Sequence, residues 1–150
     1  MKPSENGIKF IASWETFQPV PYDDGYGYMT AGFGHKILAG ENFSGGVTEE
    51  QGYEILSKDL AIAENEVNRR VTVALYQNEF DALVSLVFNI GTGNFRSSTL
   101  LKMLNQDHKS LAADQFLLWK KSAGKESKGL LKRRVAERDI FLNGHYVFEH

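Results

Sequence analysis

Three side chains near the front of the chain have the types and spacing for acid–base chemistry on a glycosidic bond. Glu15 falls on the stripe that Ile8, Ile11 and Ala12 mark at about 100° per residue, beside Phe10 and Trp14. A carboxyl on an apolar stripe is desolvated, which favours its neutral form and raises its pKa. Asp24 follows Pro19 and Pro21 in the turn signal Asp23-Asp24-Gly25, a polar setting in which a carboxylate stays ionised. Two carboxyl groups in opposite protonation states are what glycoside hydrolysis requires. One protonates the leaving oxygen while the other acts on water or on the sugar cation. Thr30 adds a hydroxyl able to orient water, and the run Glu-x8-Asp-x5-Thr is followed by Gly32-Phe33-Gly34-His35.

Other chemistries lack their parts. The four histidines are scattered with no His-Glu-x-x-His spacing, and there is no cysteine, so a metal centre and thiol chemistry find no support. Gly32-Phe33-Gly34 has Ile37 where a dinucleotide loop needs a third glycine, and no Walker or Gly-x-Ser-x-Gly motif is present. The expectation is an enzyme without metal or cofactor. His35 ends the glycine-rich strand on the face opposite Thr30 and is expected to be structural, paired with a carboxylate.

The elements that must place these residues follow from periodicity. A first helix is predicted from near Ser4 to before Pro19, because the residue preceding a proline leaves the α region. Tyr26 to His35 reads as a strand or hairpin. By its period of two, Tyr28, Thr30, Gly32 and Gly34 share a face open to a ligand, while Met29, Ala31 and Phe33 face a core. Thr48-Glu49-Glu50-Gln51 matches a capping box, opening a long half-exposed helix to about Asn68 with the stripe Leu56, Leu60, Ala63 and Val67. From Gln77 or Asn78, Phe80 to Ile90 is apolar on nearly every side and ends at Gly91-Thr92-Gly93. Short helices are predicted at Ser98–Asn105 and Ser110–Trp119, a polar loop at Lys121–Lys128, and a basic helix from Gly129 to Leu142. The fold class is α+β and predominantly helical, one domain over 1–150. A small lobe (16–55) is joined by a linking helix (56–68) to a larger helical lobe (1–15 with 69–150).

At 150 residues and 42% hydrophobic content the chain can bury a core without staples. The net charge of −2 divides unevenly, at −7 over residues 1–66 and +5 over 67–150. The basic excess gathers at Lys120, Lys121, Lys125, Lys128, Lys132, Arg133, Arg134 and Arg138, either a solvated face or a site for a polyanion. No apolar run is long enough for a signal sequence or a membrane span.

Glu15, Asp24, Thr30 and Gly32-Phe33-Gly34-His35 resemble the active-site segment of the phage-type lysozymes, glycoside hydrolase family 24. The likeness covers essentially the whole chain. Phe80–Gly91 and Gly93–Leu101 resemble the family's central helix and following turn, and Trp119 with Gly129–Arg138 its C-terminal signature. The resemblance implies a lysozyme-like fold and cleavage of the β-1,4 bond between N-acetylmuramic acid and N-acetylglucosamine in peptidoglycan, without a cofactor. It implies Glu15 as general acid, Asp24 as the carboxylate that positions or activates water, and Thr30 as its partner. Gly32, Gly34, Phe88, Asn89 and Ser98 would line the substrate cleft. Thr16 stands where many members carry glycine, which leaves the helix end less freedom. A phage endolysin of this kind, with no signal-anchor, would be a monomer held in the host cytoplasm until a holin pore admits it to the wall, its partner being peptidoglycan and not nucleic acid. Two other classes remain as alternatives: a non-catalytic wall-binding protein on the same fold, and a membrane-active protein built on the basic helix.

Overall fold

The computed structural model describes residues 1–150. Helix α1 (Glu5–Ser13) begins at Ser4, whose hydroxyl accepts from the Gly7 N–H, and buries Phe10, Ile11 and Ala12. It ends earlier than the prolines demand. The chain is captured by strand β1 (Phe17–Asp23), which starts before Pro19 because Phe17 pairs with Phe33. Glu15 therefore lies in a turn two residues beyond the helix, not on its last turn. The prolines sit in an edge strand, where a missing N–H costs no ladder bond.

Strands β2 (Met29–Phe33) and β3 (His35–Lys36) complete a three-stranded antiparallel sheet in the order β1-β2-β3. The expected single strand is broken at Gly34, which has φ +74°. Simple alternation fails along β2. Met29 is exposed, whereas Thr30, Ala31, Gly32 and Phe33 are all buried. The reason is α2 (Glu49–Asp59), packed across the sheet. Gly52 of α2 lets the sheet approach: a methyl there would lie 2.9 Å from the Phe17 ring and 3.1 Å from Phe33. Tyr53 continues this aromatic layer at 4.7 Å from Phe33.

The capping box at Thr48 and Gln51 forms as the sequence indicates. The long helix it opens is interrupted at Leu60 and resumes as α3 (Ala61–Arg70). The stripe Leu56, Leu60, Ala63 and Val67 is buried throughout. Helix α4 (Gln77–Ile90) is the axis of the core, buried without a gap from Glu79 to Val87 and closed by Gly91 at φ +92°. Each fully buried Leu or Phe here contributes roughly 1.5–3 kcal/mol. Around α4 pack α5 (Thr92–Arg96), α6 (Thr99–Asn105), α7 (Lys109–Gln115) with a 3₁₀ turn at Phe116–Leu118, and α8 (Lys128–Asn143).

Two expectations change. The polar segment after Trp119 is a hairpin, with β4 (Lys121–Ser122) paired to β5 (Lys125–Glu126). Its two central residues, Ala123 and Gly124, both have positive φ, as a tight hairpin turn requires. The basic run is not one solvated face either. Arg133 and Arg134 are 4% and 0% exposed and lie inside the helical core.

Candidate active site

Glu15 sits between the small sheet and α8. One carboxylate oxygen would lie only 3.0 Å from a methyl on Gly34, and the positive φ of Gly34 favours glycine there. On the other side, Arg133 Nη1 lies 3.7 Å from Glu15 Oε1. Burial pushes the Glu15 carboxyl above its ordinary range, and the opposing charge of Arg133 does not cancel the rise. Trp14 roofs the turn, stacked on His150 with ring centres 3.7 Å apart and packed edge-on against Phe10.

Asp24 is fixed by its own turn. Its Oδ1 accepts the N–H groups of Tyr26 and Tyr28 at 2.7 and 3.2 Å, while its backbone N–H donates to the Tyr28 carbonyl. Asp23 is spent separately on the Gly25 N–H. With Tyr22 paired to Thr30 and Asp24 bonded to Tyr28, Asp24 and Thr30 are diagonal neighbours on one face of the hairpin. The Thr30 hydroxyl is buried and has no protein partner, nor has the indole N–H of Trp14. Buried polar atoms are nearly always satisfied, so an orphan hydroxyl marks a place for water or a ligand.

His35 is held as a scaffold, as its position suggested. Its Nδ1 lies 2.8 Å from Asp59 Oδ2 and its Nε2 lies 2.9 Å from Glu41 Oε1. Burial alone would lower its pKa, but the hydrogen bonds to Glu41 and Asp59 outweigh it and raise the pKa. The clasp ties β3 to α2 and to the loop before it.

The five expected cleft residues separate. Gly34 and Phe88 meet across a groove of about 370 Å³ that His35, Lys36, Leu38 and Asp59 complete. Asn89 is exposed and borders a second groove of about 560 Å³ with Asn94, Trp119, Lys121 and Leu130. Gly32 does not open to a cleft. It is buried, and a methyl on it would rest 3.6 Å from Gly52 of α2. Ser98 is likewise turned inward. Its hydroxyl donates its one proton to the Phe95 carbonyl and accepts the Leu101 N–H, capping α6.

Periodicity missed the charges behind Glu15. Glu137, fully buried, accepts from the Ser85 hydroxyl at 2.5 Å, from Arg133 Nε at 3.3 Å and from Arg134 Nη1. Arg134 also donates to the Trp119 carbonyl and to Asn89 Oδ1. The structure thus holds a carboxyl raised in pKa at Glu15, in contact with Gly34 at the edge of the first groove, and, on the β1–β2 hairpin, a separately fixed carboxylate at Asp24 and an unpartnered hydroxyl at Thr30.

A family model described as phage lysozyme matches residues 12–137. The endolysin of Salmonella phage P22 is 42% identical over 146 residues, covering 95% of this chain and 99% of that protein. The solved structure of a P22 lysozyme variant superposes with a TM-score of 0.88 at 40% identity, over 95% and 99% of the two chains. The endolysin of Bacillus phage PZA is 38% identical over 151 residues, and the chain spans only 56% of its length. The muramidase domain of SpmX from Asticaccaulis excentricus gives a TM-score of 0.85 at 32% identity, covering 95% of this chain and 98% of that one.

Proposed function

The chain belongs to the phage lysozyme family, and on that premise we propose that Glu15, Asp24 and Thr30 carry out its hydrolysis of peptidoglycan. It is a glycosidase of the endolysin type, a muramidase acting on the β-1,4 link after N-acetylmuramic acid. The observation that carries the assignment of roles is the environment of Glu15. A carboxyl whose pKa burial raises holds its proton more tightly than an ordinary glutamate and can give it to the glycosidic oxygen as the bond breaks. Asp24, held by two backbone N–H groups at one oxygen, has the other oxygen free for water or for the developing sugar cation. The orphan hydroxyl of Thr30, diagonal to it, supports a role in holding that water.

Gly34 and Phe88 on one groove and Asn89 on the other are the residues for saccharide contact, Phe88 through its ring face and Asn89 through hydrogen bonds. No helix is long and apolar enough to cross a membrane. Accumulation in the host cytoplasm and release through a holin-made opening is the proposed route to the wall, with the protein acting as a monomer.

The test is turbidity clearing and release of reducing ends from purified peptidoglycan. Glu15→Gln should abolish both, since a positioned general acid is worth about 10²–10⁴-fold. Asp24→Asn should bring a comparable loss, and a normal rate would move the role to Asp23. Clearing by folded Glu15→Gln at the wild-type rate would end the assignment. A protein that binds the wall and releases no reducing ends would be a non-catalytic wall-binding protein.

A further inference from the structure

The buried charge behind Glu15 has more parts than an ion pair to the acid needs. Arg133 is gripped from the side away from Glu15. Its Nε donates to Glu137 at 3.3 Å, and its Nη2 faces both the carbonyl and the hydroxyl of Ser85 at 3.4 and 3.3 Å. Only Nη1 faces Glu15, at 3.7 Å, beyond the roughly 2.7–2.9 Å of a charge-assisted hydrogen bond. Glu137 cannot yield to Arg133, because Ser85 and Arg134 hold its two oxygens and Arg134 is itself fixed by Trp119 and Asn89.

Few charges face this cluster. From α8 come Arg133, Arg134 and Glu137, and from the turn after α1 comes Glu15. From α4 come only the neutral Ser85 and Asn89. From the segment after α8 comes His150, whose ring is pushed to lower pKa by burial and by Arg133 and so carries no competing charge near neutrality.

We propose that Glu137 is a positioning residue for the reaction. By holding Arg133 against Ser85 it denies Glu15 a direct hydrogen-bonded ion pair and keeps the Glu15 proton available for the leaving oxygen. Glu137 never touches substrate; it acts through Arg133. The saccharide-facing half of the helical lobe is tied into the same hold, because Arg134 joins Glu137 to Asn89 on the second groove. The inference rests on Glu15 as the acid, but its geometric part can be read without any turnover.

The experiment follows the carboxyl carbon of Glu15 by ¹³C NMR titration in protein labelled at glutamate, the signal identified by its loss in Glu15→Gln. The pH profile of kcat/KM on peptidoglycan is measured beside it. In Glu137→Gln, Arg133 is freed to close on Glu15. The Glu15 midpoint and the alkaline limb of the profile should fall together by about 1 unit or more, the usual effect of a cation brought against a carboxylate. Where that variant does not fold, Glu137→Asp keeps the charge, withdraws the carboxylate by one methylene and carries the same expected direction. A Glu15 midpoint indistinguishable from wild type in a folded variant overturns the inference, whatever happens to the rate. A midpoint that falls while the alkaline limb stays in place supports the hold on Arg133 and overturns instead the assignment of Glu15 as proton donor.

Discussion

Replacing Glu15 by glutamine should strengthen the fold while ending hydrolysis, and the pH dependence of the gain identifies its cause. Burial raises the pKa of Glu15 in the folded chain above its value in the unfolded one. Below about pH 4, near the ordinary glutamate pKa, the side chain is protonated in both states and the substitution is nearly neutral. As pH climbs through that range the unfolded chain ionises freely and the folded chain resists, so wild-type stability falls relative to the variant. The fall ends once pH passes the raised folded value. Each unit between the two pKa values is worth about 1.4 kcal/mol.

Arg133 opposes the effect. A full charge pair at ~4 Å gains about 4 kcal/mol at an effective dielectric constant of ~20, which burial must outweigh. The net gain is therefore a residual whose sign follows the raised pKa. For a chain of this size each ~1 kcal/mol of it is a rise in Tm of roughly 2–4 °C. The assay is urea or thermal unfolding of both proteins at pH 3, 5 and 7. A variant less stable than wild type at pH 7 would refute the reasoning. So would a gain of equal size at pH 3 and pH 7, because that would be a packing effect.

Three other substitutions probe the site. Thr30→Val removes an unpartnered buried hydroxyl while keeping its shape, so stability should hold or improve while hydrolysis falls about 10²-fold; parallel unfolding and clearing assays check the split. Gly34→Ala forces a methyl against Glu15 at a positive φ, which should cost about 1–2 kcal/mol and lower kcat with little change in binding to the wall. Asp59→Asn removes one arm of the His35 clasp. His35 has a raised folded pKa, so the stability it lends is fully present below about pH 6.5 and is lost as pH rises through the folded value. The deficit of the variant should therefore be largest near pH 6, about 1.5–3 kcal/mol, and shrink in alkaline unfolding experiments.

Much of the scaffold was legible because local chemistry and tertiary packing agree. The Thr48 capping box, the Leu56–Val67 stripe and the all-round burial of α4 each state their environment in a short window. The pairing of His35 was legible because a buried histidine at a strand end must find partners, and Glu15, Asp24 and Thr30 drew notice as polar residues at marked places. What failed was the alternation of β2, because a sheet covered by α2 buries both parities once Gly52 admits Phe17 and Phe33. Gly32 was assigned to a ligand face that is in truth a helix contact. Ser98 was assigned to a wall, although a serine before an apolar helical run is a cap signal. The hairpin after Trp119 was missed because alanine, a poor occupant of a left-handed turn position, fills the place where asparagine or glycine would announce it.

The buried charges of α8 were the costliest omission, and the signal for them was present in the same form that exposed Glu15. Ile140 and Phe141 mark the inward stripe of α8, and stepping back three, four and seven residues reaches Glu137, Arg134 and Arg133. A charge on an apolar stripe must find a partner, since an isolated buried ion costs several kcal/mol. Helix α4 gives the charged groups of α8 only neutral partners, Ser85 and the amide oxygen of Asn89, so α8 has to satisfy most of its charge internally. Two guanidinium groups against one carboxylate leave one cation in excess, and the next carboxyl in reach of it is Glu15. The anomaly in the first helix and the anomaly in the last are thus one electrostatic arrangement. It is closed in space across 118 residues of chain, between positions that no local window compares.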